Sequence, residues 1–227
     1  MIEVEICCNS IVSATQAKAG GARRIELCTN LEIGGTTPTY EEIAYCVQQL
    51  GLRTHVLIRP RGGDFHYTEE EYQTICHDVE RCKDLGVSAV VVGFLDSDGR
   101  IDTDRTRQVV ALAAPMEVTF HRAFDELSDP YDGLEKLVAC GCHRVLTSGC
   151  QPSVTEGAEV LKKLVEQSDG RITILAGGGV TPANARTLVE QTHVEEVHGS
   201  CKTTLPDGTI VTDAEIVSQL IQTTDTL

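Results

Sequence analysis

Short apolar runs rich in β-branched residues alternate with longer amphipathic segments along the whole chain. Eight of these runs have the length and composition of buried β-strands. The predicted strands are 2–8, 24–28, 54–59, 89–92, 117–121, 144–148, 172–176 and 194–198. The segments between them have apolar residues at helical spacing, so a strand and a helix alternate eight times over 227 residues.

Helix starts are marked by side chains that can accept hydrogen bonds from the first free backbone amides. Asp129 and Thr181 each precede a proline, which favours the first position of a helix. Three further starts have the capping-box spacing of a hydroxyl residue and a glutamate. They are Thr68 with Glu71, Ser153 with Glu156, and Thr212 with Glu215.

This alternation predicts an α/β fold, and eight units favour a closed (β/α)8 barrel, or TIM barrel. Such barrels typically have about 250 residues, so this would be a short example. A doubly wound open sheet would need a glycine-rich turn after the first strand, where the chain has Cys7-Cys8-Asn9-Ser10. No linker rich in proline, serine or glycine divides the sequence, so we predict a single barrel domain over 1–227.

Composition and net charge argue against some classes of binding partner. The formal net charge is −15 and the isoelectric point is near 4.8, which argues against binding to nucleic acid or an anionic membrane. The amino terminus lacks the basic and apolar regions of a secretory signal, and no apolar run approaches the roughly 20 residues of a membrane span. We therefore expect a cytoplasmic protein whose ten cysteines are reduced.

The first two strands place chemically active side chains on one face. Because side chains alternate along a strand, Glu5 and Cys7 share a face opposite Ile6, and Glu26 shares a face with Cys28. The apolar set is expected to meet the surrounding helices. The acidic and thiol groups would then point into the barrel, near its mouth.

Other strands also end in polar side chains that suit catalysis or binding. The third strand delivers Arg59, the fifth His121, the sixth Ser148 and the eighth His198. Since active sites of barrels lie at the carboxyl ends of the strands, these groups are expected to converge. The predicted catalytic set is Glu5, Glu26, His121, Ser148 and His198. The structural alternative is an ion-pair network of Glu5 and Glu26 with Arg59 that only plugs the mouth.

A second pattern points to an anion. Gly177, Gly178 and Gly179 follow the seventh strand and precede a helix start, where backbone amides often bind phosphate. Ser200 follows the eighth strand and would supply the other half of this site. A tight turn with nothing bound is the alternative for the glycines. The guanidinium groups of Arg59 and Arg61 would suit a carboxylate or phosphate above the same mouth.

These groups are compatible with an enzyme of the isomerase or lyase type. His121 or Glu26 could transfer a proton on a small phosphorylated or carboxylated metabolite, assisted by a divalent metal on Glu5 and Glu26. Only Lys202 lies near a strand end, so a Schiff-base aldolase is not favoured. An inert scaffold is a third possibility, but it would leave the ionisable mouth unexplained. Whether the protein is an enzyme stays open at this point.

Several stretches together resemble one known family. The chain is similar to the CutC family of copper homeostasis proteins from its first strand to its last. The stretches that carry the resemblance are 26–28, 34–38, 59–65, 119–125, 146–149 and 177–179. One departure is the short segment 203–213, because some relatives carry an insertion before the last helix.

The resemblance implies a cytoplasmic barrel, often a homodimer or higher homo-oligomer, that binds Cu(I) and serves copper tolerance. It also implies that Cys7 and Cys28 are the copper ligands. Thiols at the ends of neighbouring strands, about 5 Å apart, suit the two-sulfur geometry that Cu(I) accepts. We therefore expect copper homeostasis with Cu(I) as the bound ion, and the anion-processing enzyme is the alternative.

Overall fold

Eight parallel strands close into a barrel in chain order, and β1 pairs with both β2 and β8. The structure is a computed structural model that describes residues 2–226. Within that range the barrel strands are β1 (Glu3–Cys8), β2 (Arg24–Leu27), β3 (Arg53–Leu57), β4 (Ala89–Val92), β5 (Glu117–Phe120), β6 (Arg144–Thr147), β7 (Thr173–Gly177) and β8 (Glu196–Gly199). Each predicted strand overlaps its observed counterpart.

Helices follow the strands and surround the barrel. Over residues 2–226 they are α1 (Ile11–Ala19), α2 (Tyr40–Ala44), α3 (Glu69–Asp84), α4 (Thr103–Ala113), α5 (Pro130–Cys140), α6 (Ala158–Ser168), α7 (Ala185–Thr192) and α8 (Ala214–Asp225). A π-helical turn, Tyr45–Gln49, extends α2. The predicted TIM barrel is therefore confirmed.

Two of the predicted helix starts are observed. The Thr68 side chain accepts from the Glu71 amide while the Glu71 carboxylate accepts from the Thr68 amide, which completes the capping box of α3. Asp129 accepts from two amides at the start of α5, directly before Pro130. Ser153 and Glu156 also contact each other, but they close a turn ahead of α6.

Two other predicted starts are wrong. α8 is capped by Asp213, whose side chain accepts from the amides of Glu215 and Ile216, so the neighbouring Thr212 is not the cap. Thr181 does not cap α7 either, because its amide donates to Asn184 Oδ1 and the helix begins only at Ala185. At α8 the adjacent carboxylate is the stronger acceptor, whereas the residue before α7, Asn184, makes no side-chain capping hydrogen bond.

The two faces of the strands are used as the alternation predicts. Ile6 and Ile25 pack into the main apolar core between the barrel and the helices. Cys7, Cys28 and Leu57 belong to a separate small cluster inside the barrel. The apolar residues of β1 and β2 therefore bind the helices to the barrel, and this leaves the opposite face free to carry polar chemistry.

The segment after β8 departs from the sequence-based expectation of a short passage. It forms an antiparallel hairpin of β9 (Lys202–Thr204) and β10 (Ile210–Thr212). Asn9 Nδ2 donates to the Ile210 carbonyl at 3.1 Å, which attaches this hairpin to the loop after β1. Lys202 at its start lines the barrel mouth. The hairpin thus contributes Lys202 to the wall of the mouth.

The amino-terminal end of the barrel interior contains a buried ion-pair network. Arg24 NH2 lies 2.5 Å from Glu196 Oε2, and Arg144 Nε lies 2.7 Å from the same oxygen. Arg144 NH1 also lies 3.0 Å from Glu117 Oε2. Arg24 is fully buried. Because each charge has a partner of opposite sign, the network fills the barrel without leaving a buried charge unpaired.

We expect acid to weaken the fold through this network. Burial opposes ionisation of Glu196, but Arg24 and Arg144 hold its pKa below the ordinary value. A lowered native pKa adds stability that is complete above the unfolded-state pKa of about 4.3 and is lost as pH falls through the native pKa. The free energy of unfolding should fall with acidification over that window, and the slope should flatten in Glu196→Gln. The exposed Glu166, replaced by Gln, is the control and should keep the wild-type slope.

Candidate functional site

Glu5 lies at the centre of the barrel, between the ion-pair network and the mouth. Its Oε2 atom is 2.9 Å from Arg24 Nε and 2.7 Å from His55 Nδ1, and its Oε1 atom is 2.8 Å from His198 Nδ1. Burial opposes ionisation, but His55, His198 and Arg24 together hold the pKa of Glu5 well below its ordinary value. Glu5 is therefore an ionised carboxylate that orients two histidines.

The ion pairs of Glu5 and Glu26 with Arg59, the structural alternative to a functional site, are not formed. Arg59 donates instead to backbone carbonyls, at 3.1 Å to Gly35 and 2.5 Å to Gly63. Its guanidinium also lies 4.8 Å from the centre of the Phe65 ring. Arg24 takes the place that the structural alternative gave to Arg59, because it extends inward from the strand next to Glu5.

The thiols of Cys7 and Cys28 meet above Glu5. Their sulfur atoms are 4.0 Å apart, although the residue paired with Cys7 across the two strands is Glu26. Cys28 follows the end of β2, where Gly35 passes closely over it with a φ of +87°. A Cβ atom at Gly35 would lie 2.7 Å from Leu57 Cδ2, so only glycine allows this approach.

Electrostatics near the thiols are set by burial and by two ionisable neighbours. The ligand atoms of Cys7, Glu26 and His198 all lie within 4.8 Å of one another. The contact with Cys28, followed by burial, raises the pKa of the Cys7 thiol well above its ordinary value. Burial raises the pKa of Glu26 to about 7. Burial opposes the charge on His198, but Glu26, Cys7 and Glu5 raise its pKa well above the ordinary value.

His121 stands directly after β5 and carries a neutral imidazole. The Ala123 amide donates to its Nδ1 atom at 3.1 Å, so the proton lies on Nε2. Burial, reinforced by the nearby Arg59, lowers its pKa to about 3. Gly93 makes room for the ring, since a Cβ atom there would lie 2.3 Å from His121 Cε1. Phe65 packs on the other side, with the two ring centres 4.8 Å apart.

A cavity of about 930 Å³ opens above these groups. Eight of the residues predicted from the sequence line it. They are Cys7, Glu26, Arg59, His121, Gly178, Gly179, His198 and Ser200. The convergence of strand ends is therefore observed, although the roles given to the individual residues stay predictions.

Five predicted residues lie away from the cavity wall. Glu5 and Cys28 are buried beneath it. Arg61 turns aside to Glu71, with its Nε atom 2.6 Å from Oε1. Ser148 Oγ lies 2.9 Å from Arg122 and 3.0 Å from Asp125 Oδ2, so it supports the loop after β5. The last is Gly177, which packs against His198 and Leu146. The expected positions of Arg61, Ser148 and Gly177 at the mouth are therefore wrong.

Sequence reasoning missed some residues of the site. Arg24 and His55 hold Glu5 from below, and both are fully buried. Alternation along β2 could have found Arg24, because it shares a face with Glu26. Lys202 was noted in the sequence as lying near a strand end, but its place on the cavity wall was not predicted.

This arrangement joins two kinds of group at one barrel mouth. Two thiols and an imidazole are ligands that soft and borderline metal ions prefer. Arginine, lysine and neutral histidine side chains around them can bind an anion. The molecule is thus a (β/α)8-barrel protein with a thiol-containing pocket at the carboxyl ends of its strands.

The chain belongs to the CutC family, whose family model matches residues 2–203. A family protein CutC from Chromobacterium violaceum is 48% identical over 199 residues, which are 88% of this chain and 81% of that protein. The human copper homeostasis protein cutC homolog is 42% identical over 205 residues, 90% of this chain and 75% of that protein.

Solved structures agree with this assignment. A CutC protein from Streptococcus agalactiae is 36% identical and superposes with a TM-score of 0.84, covering 88% of this chain and 99% of that chain. A phosphoribosylanthranilate isomerase from Thermotoga maritima covers the full length of both chains with a TM-score of 0.65, but it is only 14% identical and therefore shares the fold alone. None of the helices described between residues 2 and 226 has the length and apolar character to cross a membrane.

Proposed function

We propose that this CutC-family chain serves copper homeostasis by binding one Cu(I) ion between the Cys7 and Cys28 thiolates. The observation that carries the proposal is the 4.0 Å separation of the two sulfur atoms inside the barrel. That separation is slightly less than two metal–sulfur bonds of roughly 2.3 Å, the length known for zinc thiolates. A small movement of either side chain would let one ion bridge both sulfurs.

The surrounding groups fit a soft cation. Glu5 accepts a hydrogen bond from His198 Nδ1, which fixes the imidazole ring within reach of Cys7 and Glu26. Cu(I) bound by two thiolates leaves a net negative charge, and His198 lies close enough to balance it. Cu(I) prefers sulfur and imidazole to carboxylate, so Glu26 is expected to contact His198 rather than the ion.

The isomerase or lyase alternative has less support. Its proposed hydrogen-bond donor, Ser148, is buried beneath Arg122 instead of lining the cavity. The isomerases with a similar barrel are too distant in sequence to carry more than the fold. Relatives at 42–48% identity are named for CutC or for copper homeostasis, which favours a copper role for this chain.

We also propose a cytoplasmic location and a homodimer. All ten cysteines are free, as expected in a reducing compartment, and the copper site needs reduced thiols. The dimer follows from the family resemblance, and sedimentation equilibrium of the purified protein would test it. A monomer at all concentrations would contradict this part of the proposal.

The copper site itself is tested by titrating the fully reduced protein with Cu(I) in competition with a coloured Cu(I) chelator, without oxygen. We expect one Cu(I) per chain and release of protons on binding, because buried thiols must ionise to bind metal. X-ray absorption should show two sulfur ligands. A spectrum dominated by oxygen ligands, or no competition with the chelator, would contradict the proposal.

A further inference from the structure

The cavity above the thiols is much larger than a metal ion requires. Its volume of about 930 Å³ falls at the upper end of the range of roughly 300–1,000 Å³ for pockets that bind small organic molecules. Cys7 lies on its wall whereas Cys28 is 1% exposed. An ion that reaches the sulfurs must therefore cross a pocket shaped for a larger ligand.

Arg59 is a buried charge on this wall with no acidic partner. It is 5% exposed, its Nε atom has no hydrogen-bond partner, and it pairs with no carboxylate among the residues described. Its other nitrogens donate to neutral carbonyls of Ile33, Gly35 and Gly63. A buried charge is costly unless it is paired, so the geometry favours an anion in the cavity. The same charge disfavours the entry of a bare cation.

The other charged side chains that line the cavity are also mostly positive. Arg59, Arg122 and Lys202 line the cavity, and Glu26 is the one acidic side chain among the described lining residues. Arg122 is neutralised in part by Asp125, at 2.7 Å, whereas Lys202 is exposed and makes no ion pair within residues 2–226. This local excess of positive charge stands out in a chain of net charge −15.

His121 offers a directed hydrogen bond to the same ligand. Its Nδ1 atom is occupied by the Ala123 amide, while Nε2 is buried and has no partner in the described part of the chain. The residue is 6% exposed and lines the cavity. A buried donor without an acceptor is unfavourable, and an acceptor on a bound ligand would remove that cost.

We propose that copper reaches Cys7 and Cys28 as the Cu(I) complex of a small anionic thiol, whose carboxylate is held near Arg59 and Lys202. This inference rests on the proposed function. Two copper–sulfur bonds to the carrier break and two to Cys7 and Cys28 form. The protons of the two protein thiols pass to the departing carrier thiolates, and copper stays in the +1 state throughout.

The experiment compares two copper donors of nearly equal size. Cu(I) is supplied to the reduced protein as its complex with N-acetylcysteine, which carries a carboxylate, or with N-acetylcysteine amide, which does not. We expect the carboxylate donor to transfer copper at least about tenfold faster at low salt, with the difference shrinking as salt screens the charges. Equal rates from both donors, with copper affinity intact in the chelator titration, would overturn the inference and leave the proposed function standing.

Variants test which side chains cause the faster transfer from the carboxylate donor. Arg59→Met should lose most of this preference, whereas Arg59→Lys, which keeps the positive charge, should retain part of it. Lys202→Gln removes the other positive charge near the proposed carboxylate position without disturbing internal contacts. It should reduce the preference several-fold. The control is Lys163→Gln, which removes an equal charge from the exposed face of α6 and should leave the preference unchanged. If Lys163→Gln and Lys202→Gln gave the same result, the assignment to this cavity would be overturned.

His121→Phe keeps the ring and removes the donor. We expect it to raise the half-saturating concentration of the carboxylate donor about fivefold, since one hydrogen bond contributes roughly 1 kcal/mol.

Failure of copper to bind to the wild-type protein from any donor, including in the chelator titration, would overturn both the inference and the proposed function.

Discussion

Cys7→Ser and Cys28→Ser should each lose Cu(I) affinity by at least about 100-fold. Metal sites that use thiolates bind with roughly 10–16 kcal/mol shared among a few ligands, so one sulfur accounts for several kcal/mol. A serine hydroxyl is a hard ligand that does not ionise near neutral pH, so it cannot replace a thiolate for Cu(I). Competition with a Cu(I) chelator measures the loss, and the double variant should bind no copper above background.

Cys8→Ser is the matched control for this prediction. Cys8 is adjacent to Cys7 and equally a buried thiol of β1, but its side chain lies in the core between the barrel and the helices. It should keep wild-type copper affinity even if its stability falls. A loss of affinity in Cys8→Ser equal to that in Cys7→Ser would mean that the effect reflects folding, and it would remove the proposed ligand set.

Arg24→Met should be the most destabilising single charge removal in the barrel, costing about 3–5 kcal/mol in the free energy of unfolding. The residue is fully buried and contacts both Glu5 and Glu196, at 2.9 and 2.5 Å. Methionine fills a similar volume but leaves these two carboxylates without a shared cation. Urea unfolding at neutral pH measures the change.

Arg171→Met provides the comparison, because Arg171 also binds a carboxylate through two nitrogens, both 2.8 Å from Glu135. That pair is exposed, so its removal should change stability far less. If Arg24→Met unfolded at the same urea concentration as Arg171→Met, the buried network would not stabilise the barrel in the way inferred here.

The eight strands and the closed barrel could be predicted because each strand is a local pattern. Apolar residues in short runs identify the strands, and alternation in β1 assigns Glu5 and Cys7 to the interior. Capping chemistry was predictable where one acceptor dominates, as at Asp129. It failed at Thr212, because the adjacent Asp213 offers a stronger acceptor.

Partners across the barrel could not be predicted in the same way. The ion-pair alternative joined Glu5 to Arg59, but Glu5 contacts Arg24 on β2 and His55 on β3. Arg61 was expected over the mouth, and it binds Glu71 at the start of α3 instead. Long side chains have several carboxylates within reach, and their choice depends on loop paths that no local pattern specifies.

Local patterns were enough to predict the order of strands and helices, the inward faces of β1 and β2, and the family. These follow from periodicity and from residue types that are read one segment at a time. No local pattern predicts that the sulfur atoms of Cys7 and Cys28 lie 4.0 Å apart, that Glu5 orients His198, or that Arg59 has no acidic partner within residues 2–226. Closure of the barrel brings Glu5 on β1 beside His198 on β8, and the pairing of β1 with β2 brings the two thiols together.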